Sequence, residues 1–87
     1  MIFTKHRGED VRHLLLVVRG SNTDLDRIQE IVGSSTRSNL VKAKNILSDS
    51  FELVYEVEIP EKNGNRVIEN IFELGGIDSV NLLAQNA

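Results

Sequence analysis

Apolar positions along the chain switch between a strand-like and a helix-like period. Leu14-Leu15-Leu16-Val17-Val18, closed by Gly20, is a short run with β-branched residues and predicts a buried strand. Ser21-Asn22-Thr23 are N-cap residues, and Leu25, Ile28, Ile31 and Val32 then follow at spacings that share one helical face. Thr23 with Asp26 makes a variant capping box. Asp24 and Asp26 lie in the first turn, where the helix dipole favours them, and Gly33 with Ser34-Ser35-Thr36 is expected to end the helix.

Leu40 to Leu47 and Phe51 to Ile59 read as two strands, the second alternating Phe51, Leu53, Tyr55, Val57, Ile59 against Glu52, Val54, Glu56, Glu58. A three-residue loop, Ser48-Asp49-Ser50, would set Leu47 opposite Phe51, Ala43 opposite Tyr55, Val41 opposite Val57 and Lys42 opposite Glu56. Pro60 ends the strand and Lys62-Asn63-Gly64-Asn65 reads as a turn. Val67, Ile68, Ile71, Phe72 and Leu74 form a second helical stripe closed by Gly75-Gly76, and Val80 to Ala84 is a last short strand. The order βαββαβ predicts an α+β, ferredoxin-like sandwich: a four-stranded antiparallel sheet with two helices on one face. Val41, Ala43, Leu53 and Phe72 are expected in its core with the two stripes. Residues 1–11 show no period and read as a polar arm or linker; residues 12–87 form the domain.

Composition narrows the chemistry. The chain has 87 residues, 40% apolar and 26% charged, which fits one small globular domain. It has no cysteine, which excludes a disulfide framework, a thiolate metal site and a cysteine nucleophile. The net charge of −3 gives no sign of a nucleic-acid partner. The apolar run Leu14 to Val18 is far too short to span a bilayer.

The open face of the third strand offers Glu52, Val54, Glu56 and Glu58, with no ring for base stacking, so RNA recognition through the sheet is not expected. His6 and His13 are poorly spaced for a metal pair, and the serines lie in caps and turns that account for them, so neither catalysis nor a cofactor or metal is expected. One segment stands out. Gly20, Ser21, Asn22, Thr23 and Asp24 join the first strand to the first helix, where backbone amides and small hydroxyls can hold an anion or a carboxylate. An acylphosphatase-type phosphate loop would use Arg19 and Asn22, but the rest of its glycine-rich pattern is missing.

At this loop, and in its βαββαβ order, the chain resembles ACT-type regulatory domains. That resemblance implies binding of amino acids or other small effectors near the loop. Many ACT domains place a glycine directly before the first apolar residue of the helix; here Asp24 stands there. Residues Asn39-Leu40-Val41, Phe51 to Val57, and Leu74-Gly75-Gly76-Ile77-Asp78-Ser79-Val80-Asn81-Leu82-Leu83 are similar to the C-terminal soluble domain of a family of bacterial multi-pass membrane proteins of unknown function. The C-terminal domain of the magnesium-transport accessory protein MgtC has a related design. This second resemblance implies a non-catalytic regulatory or assembly domain, cytoplasmic and tethered to the inner membrane by a part absent from this chain. Lys5, Arg7 and Arg12 would then lie near the membrane junction.

The expected register also leaves Leu15, Val17, Val54 and Leu83 on the open sheet face, with Leu40 and Ile46 on the outer strand. A rim of Arg19, Lys42, Lys44, Glu52, Glu56 and Glu58 would surround them. Such a strip predicts a partner: a second copy or another domain of the same protein.

Overall fold

The computed structural model describes residues 11–84. The elements are β1 (Val11–Gly20), α1 (Leu25–Ser35), β2 (Ser38–Ile46), β3 (Phe51–Pro60), a short 3-10 turn (Glu61–Asn63), α2 (Gly64–Phe72) and β4 (Ile77–Ala84). All strand pairs are antiparallel and the order across the sheet is β2-β3-β1-β4. The most apolar strands, β1 and β3, are therefore central, as expected for this arrangement. The polar arm falls almost wholly outside the described residues; its last residue, Val11, pairs with Pro60 as part of β1.

The core lies between the sheet and both helices. Leu16 and Val18 of β1 and Leu53, Tyr55, Val57 and Ile59 of β3 pack with Ile28 and Val32 of α1 and with Val67 and Ile71 of α2. The strict alternation of β3 puts one complete row of its side chains into this layer.

Local chemistry explains where the boundaries move from expectation. The N-cap of α1 is Asp24, not Thr23: its carboxylate accepts from the Asp26 amide at 3.0 Å. The helix runs on through Gly33 and Ser34 to Ser35, because the Thr36 hydroxyl donates to the Val32 carbonyl at 2.8 Å and holds the last turn. The turn expected at 62–65 is instead the 3-10 turn and the first turn of α2, and Asn63 donates to the Ser35 carbonyl at 3.3 Å, joining the two helices end to end. The expected stripe of Val67, Ile68, Ile71 and Leu74 packs on the core, and Phe72 alone departs from it, 45% exposed.

The β2–β3 hairpin differs most. Its loop holds four residues, 47–50, closed by the Leu47 amide donating to the Ser50 carbonyl at 2.8 Å. Ile46, not Leu47, lies opposite Phe51. Ala43 pairs with Val54 and Val41 with Tyr55, and a bulge at Lys42 takes up the extra residue. β2 is an edge strand, where a bulge blunts pairing with stray strands. It also switches faces: Lys44 and Ile46 lie on the helix side, and Ala43 and Asn45 on the open side. Ile46 and Lys44 thus leave the expected open strip and rim, Ala43 leaves the expected core, and Val41, on the helix side, is 46% exposed.

Candidate functional site

Two regions carry exposed chemistry: the β1–α1 loop with the hairpin tip beside it, and the open face of the sheet.

The loop is fixed by close backbone approach. The Ser21 amide donates to the Gly76 carbonyl at 2.7 Å, and the Thr23 hydroxyl lies 2.8 Å from the Gly75 carbonyl and 3.1 Å from that of Ser21. A Cβ on Gly20 would sit 2.3 Å from the Gly76 oxygen, and Gly76 itself has φ +76° with the Ser21 oxygen 2.2 Å from where its Cβ would be. Only glycine fits at both positions. Asn22 takes φ +54°, a region asparagine tolerates better than most residues.

These contacts decide what Gly20, Ser21, Asn22, Thr23 and Asp24 can offer. The structure holds all five in one tight loop, but the Ser21 amide and the Thr23 hydroxyl are spent on the Gly75-Gly76 turn. The amides of Asp26, Arg27 and Ile28 are directed to the side chain and carbonyl of Asp24. Asp24 and Asp26 add two carboxylates at the helix start, beside the backbone amides of the loop. Beside it, Ser21, Asn22, Thr23 and Leu25 face Ile46 to Phe51 across an open cleft of about 230 Å³. The cleft mixes apolar walls (Leu25, Ile46, Leu47, Phe51) with the hydroxyls of Ser48 and Ser50 and the carboxylate of Asp49. Sequence reasoning found the loop side and missed the hairpin side, because the hairpin register was not legible from spacing.

The open face follows from the pairing. Leu83, Leu15, Glu56 and Leu40 form one row across the sheet, and Asn81, Val17, Val54 and Ala43 the next. Ser79, Arg19, Glu52 and Asn45 form a third; His13, Glu58 and Ser38 lie at the other end. Leu15, Val17, Val54 and Leu83 are therefore brought together. Leu83 is 49% exposed and Leu40 58%.

Charged groups bound this strip. The Arg19 guanidinium holds Glu52 at 2.7 Å, His13 Nε2 lies 3.4 Å from Glu58, and Lys42 Nζ lies 3.7 Å from Glu56. Lys42 reaches Glu56 from the bulge rather than from directly opposite, where Leu40 stands. Hydrogen bonds from Arg19 and then Asn45 hold the Glu52 carboxyl below its ordinary range. Arg19 is thereby committed to the sheet face, away from any phosphate loop with Asn22. His13 is inside β1, and no cluster of three His, Asp or Glu side chains suited to a metal occurs among the described residues. His6 lies outside them. Among them, no helix is long and apolar enough to cross a membrane.

No known family model matches the chain, and no curated protein is similar to it. Among solved structures it is similar to the ACT domain of a GTP pyrophosphokinase from Chlorobium tepidum, at a TM-score of 0.67 and 10% identity over 85% of this chain and 100% of that one. The fold is the ferredoxin-like ACT fold. At that identity the likeness concerns architecture. Within this fold, the β1–α1 loop and the turn before β4 meet through Gly20 and Gly76, and no other described residue covers the sheet face opposite the helices.

Proposed function

We propose that this chain is a non-catalytic regulatory or assembly domain, the cytoplasmic C-terminal part of a bacterial membrane protein, acting through the open face of its sheet. The observation that carries this reading is the apolar strip Leu15, Val17, Val54 and Leu83, ringed by the Arg19–Glu52, His13–Glu58 and Lys42–Glu56 pairs. A contiguous apolar centre with a charged rim is the anatomy of an interface. The membrane context rests on the resemblance of the strand and turn patterns to the C-terminal domains of multi-pass proteins.

Carboxyl footprinting tests the reading whatever covers the face. In the protein expressed with its natural flanking sequence, Glu52, Glu56 and Glu58 should label far more slowly than in the isolated domain under dilute conditions. Equal labelling in both would overturn it.

The cleft supports a second reading, a small-molecule sensor of the ACT type. Its Asp49 carboxylate and apolar walls suit an amino acid presenting its ammonium group better than a bare anion. A melting screen with amino acids, nucleotides and phosphate separates the two readings, since a ligand at one hundred times its Kd adds about 2.7 kcal/mol. A rise with an amino acid, lost in Asp49→Asn, favours the sensor; flat melts throughout remove it.

A further inference from the structure

The three rows that carry the strip and the Arg19–Glu52 pair, with the His13–Glu58 pair beyond them, fix what kind of partner the face fits. Suppose two copies pack face to face about a two-fold axis parallel to the strands, between β1 and β3. β1 of one copy then lies over β3 of the other at the same height, and β4 over β2. The register sets Val17 on Val54 of the second copy, Leu83 on Leu40, Arg19 on Glu52 and His13 on Glu58. Apolar meets apolar at the centre and base meets acid at both ends. Glu56 stands over Leu15 with its Lys42 partner beside it.

A two-fold axis running across the strands does the opposite. It lays β3 on β3 and sets Glu52 on Glu58 of the second copy, repulsion that costs affinity. Arg19 on β1 and the carboxylates on β3 therefore select one symmetry. Sheets packed this way, with strands nearly aligned, form the ordinary β-sandwich. Four strands by eight residues give roughly 500 Å² of face per copy, or about 1,000 Å² in all, the lower bound of a specific interface.

Resting on the reading of this face as an assembly surface, we infer that its occupant is a second copy of this chain, joined about the axis parallel to the strands with Arg19 of each copy on Glu52 of the other. The Arg19–Glu52 pair of each chain then meets that of the other copy at one end of the interface, and the two merge into one four-charge network. The dimer is consequently salt-sensitive and moderate in affinity.

A charge-swap mixture tests the pairing itself. Arg19→Glu alone and Glu52→Arg alone should each weaken self-association by at least about tenfold, through Glu on Glu or Arg on Arg across the axis. Mixed in equal amounts they should form a heterodimer, because each contact then joins Glu to Arg. The like-charged pair inside each chain is the same alone and mixed, so only a contact between copies yields rescue. Circular dichroism of each variant establishes folding; Glu52→Gln with Arg19→Gln, which removes charge without repulsion, serves if either swap unfolds and should lose the salt dependence. A monomeric wild-type chain, or variants that associate no better mixed than alone, overturns the proposal. If the wild type is a monomer while its carboxylates are protected in the natural protein, the second copy is excluded and the assembly surface stands. If they are unprotected too, both fall.

Discussion

Arg19 donates from both Nε and Nη2 to a single oxygen of Glu52, at 2.8 and 2.7 Å, while the other oxygen accepts the Asn45 amide at 3.2 Å. One carboxylate thereby ties together β1, β3 and β2 at the end of the sheet that carries the loop and the hairpin tip. Because these bonds favour the charged form, the carboxyl titrates below its ordinary range in the folded state. Its contribution is present above the unfolded pKa of about 4.3 and is lost as pH falls through the lower folded value. The acid limb of a melting-temperature profile should therefore be shallower in Glu52→Gln than in the wild type, with the two converging at low pH. Identical profiles would mean the bond contributes nothing in solution.

Gly20 and Gly76 are the tightest points of the fold. Gly76→Ala combines a backbone clash with a left-handed φ and should cost on the order of 3 kcal/mol or more in denaturant unfolding. Gly33→Ala is the internal contrast: nothing stands within 4 Å of its Cβ position and it lies inside α1. It should stabilise by about 0.5–1 kcal/mol. A loss there would mean the helix ends at Gly33 after all.

Leu53 and Phe72 look alike in the sequence pattern and differ in the fold. Leu53 is 2% exposed beneath the helices and Phe72 is 45% exposed at the end of α2. Leu53→Ala should cost about 2–5 kcal/mol; Phe72→Ala should cost about 1 kcal/mol or less. Equal losses in chemical denaturation would contradict the exposure of Phe72.

How far the sequence reaches is clear from such pairs. The order βαββαβ, the central strands and the inner row of β3 follow from period alone, since a long strict alternation admits one register of faces. The β1–α1 loop was legible as a candidate site because glycine followed by capping residues marks a strand-to-helix turn. What was not legible depends on contacts distant in sequence. The bulge at Lys42 sits on an edge strand with few neighbours to enforce alternation, so the pattern of β2 fits more than one register. Thr23 reads as a cap locally, but its hydroxyl turns to Gly75, 52 residues away, and Asp24 takes over the cap. The face of α2 turns on its start at Gly64, which the glycine and asparagines of 63–65 disguise as a turn.

Tyr55, the single tyrosine of the chain, is buried beneath α1, and burial raises its phenol pKa. The neutral phenol is favoured in the folded state, so its contribution is full below the unfolded value of about 10 and is lost as pH rises through the folded value. Tyrosinate absorbance should appear only above that ordinary value and should rise together with unfolding. Titration at the free-tyrosine value without loss of structure would show an open α1–β2 groove.

The proposed dimer requires the open face to be the contact between two copies. Sedimentation equilibrium of the wild-type chain beside Val54→Glu measures this most directly, because Val54 lies at the centre of the strip and outside the helix-covered core. The wild type should be a dimer at high concentration and shift toward monomer with added salt, and Val54→Glu should be a monomer with an unchanged circular dichroism spectrum. A monomer for both proteins across the same concentration range would contradict it.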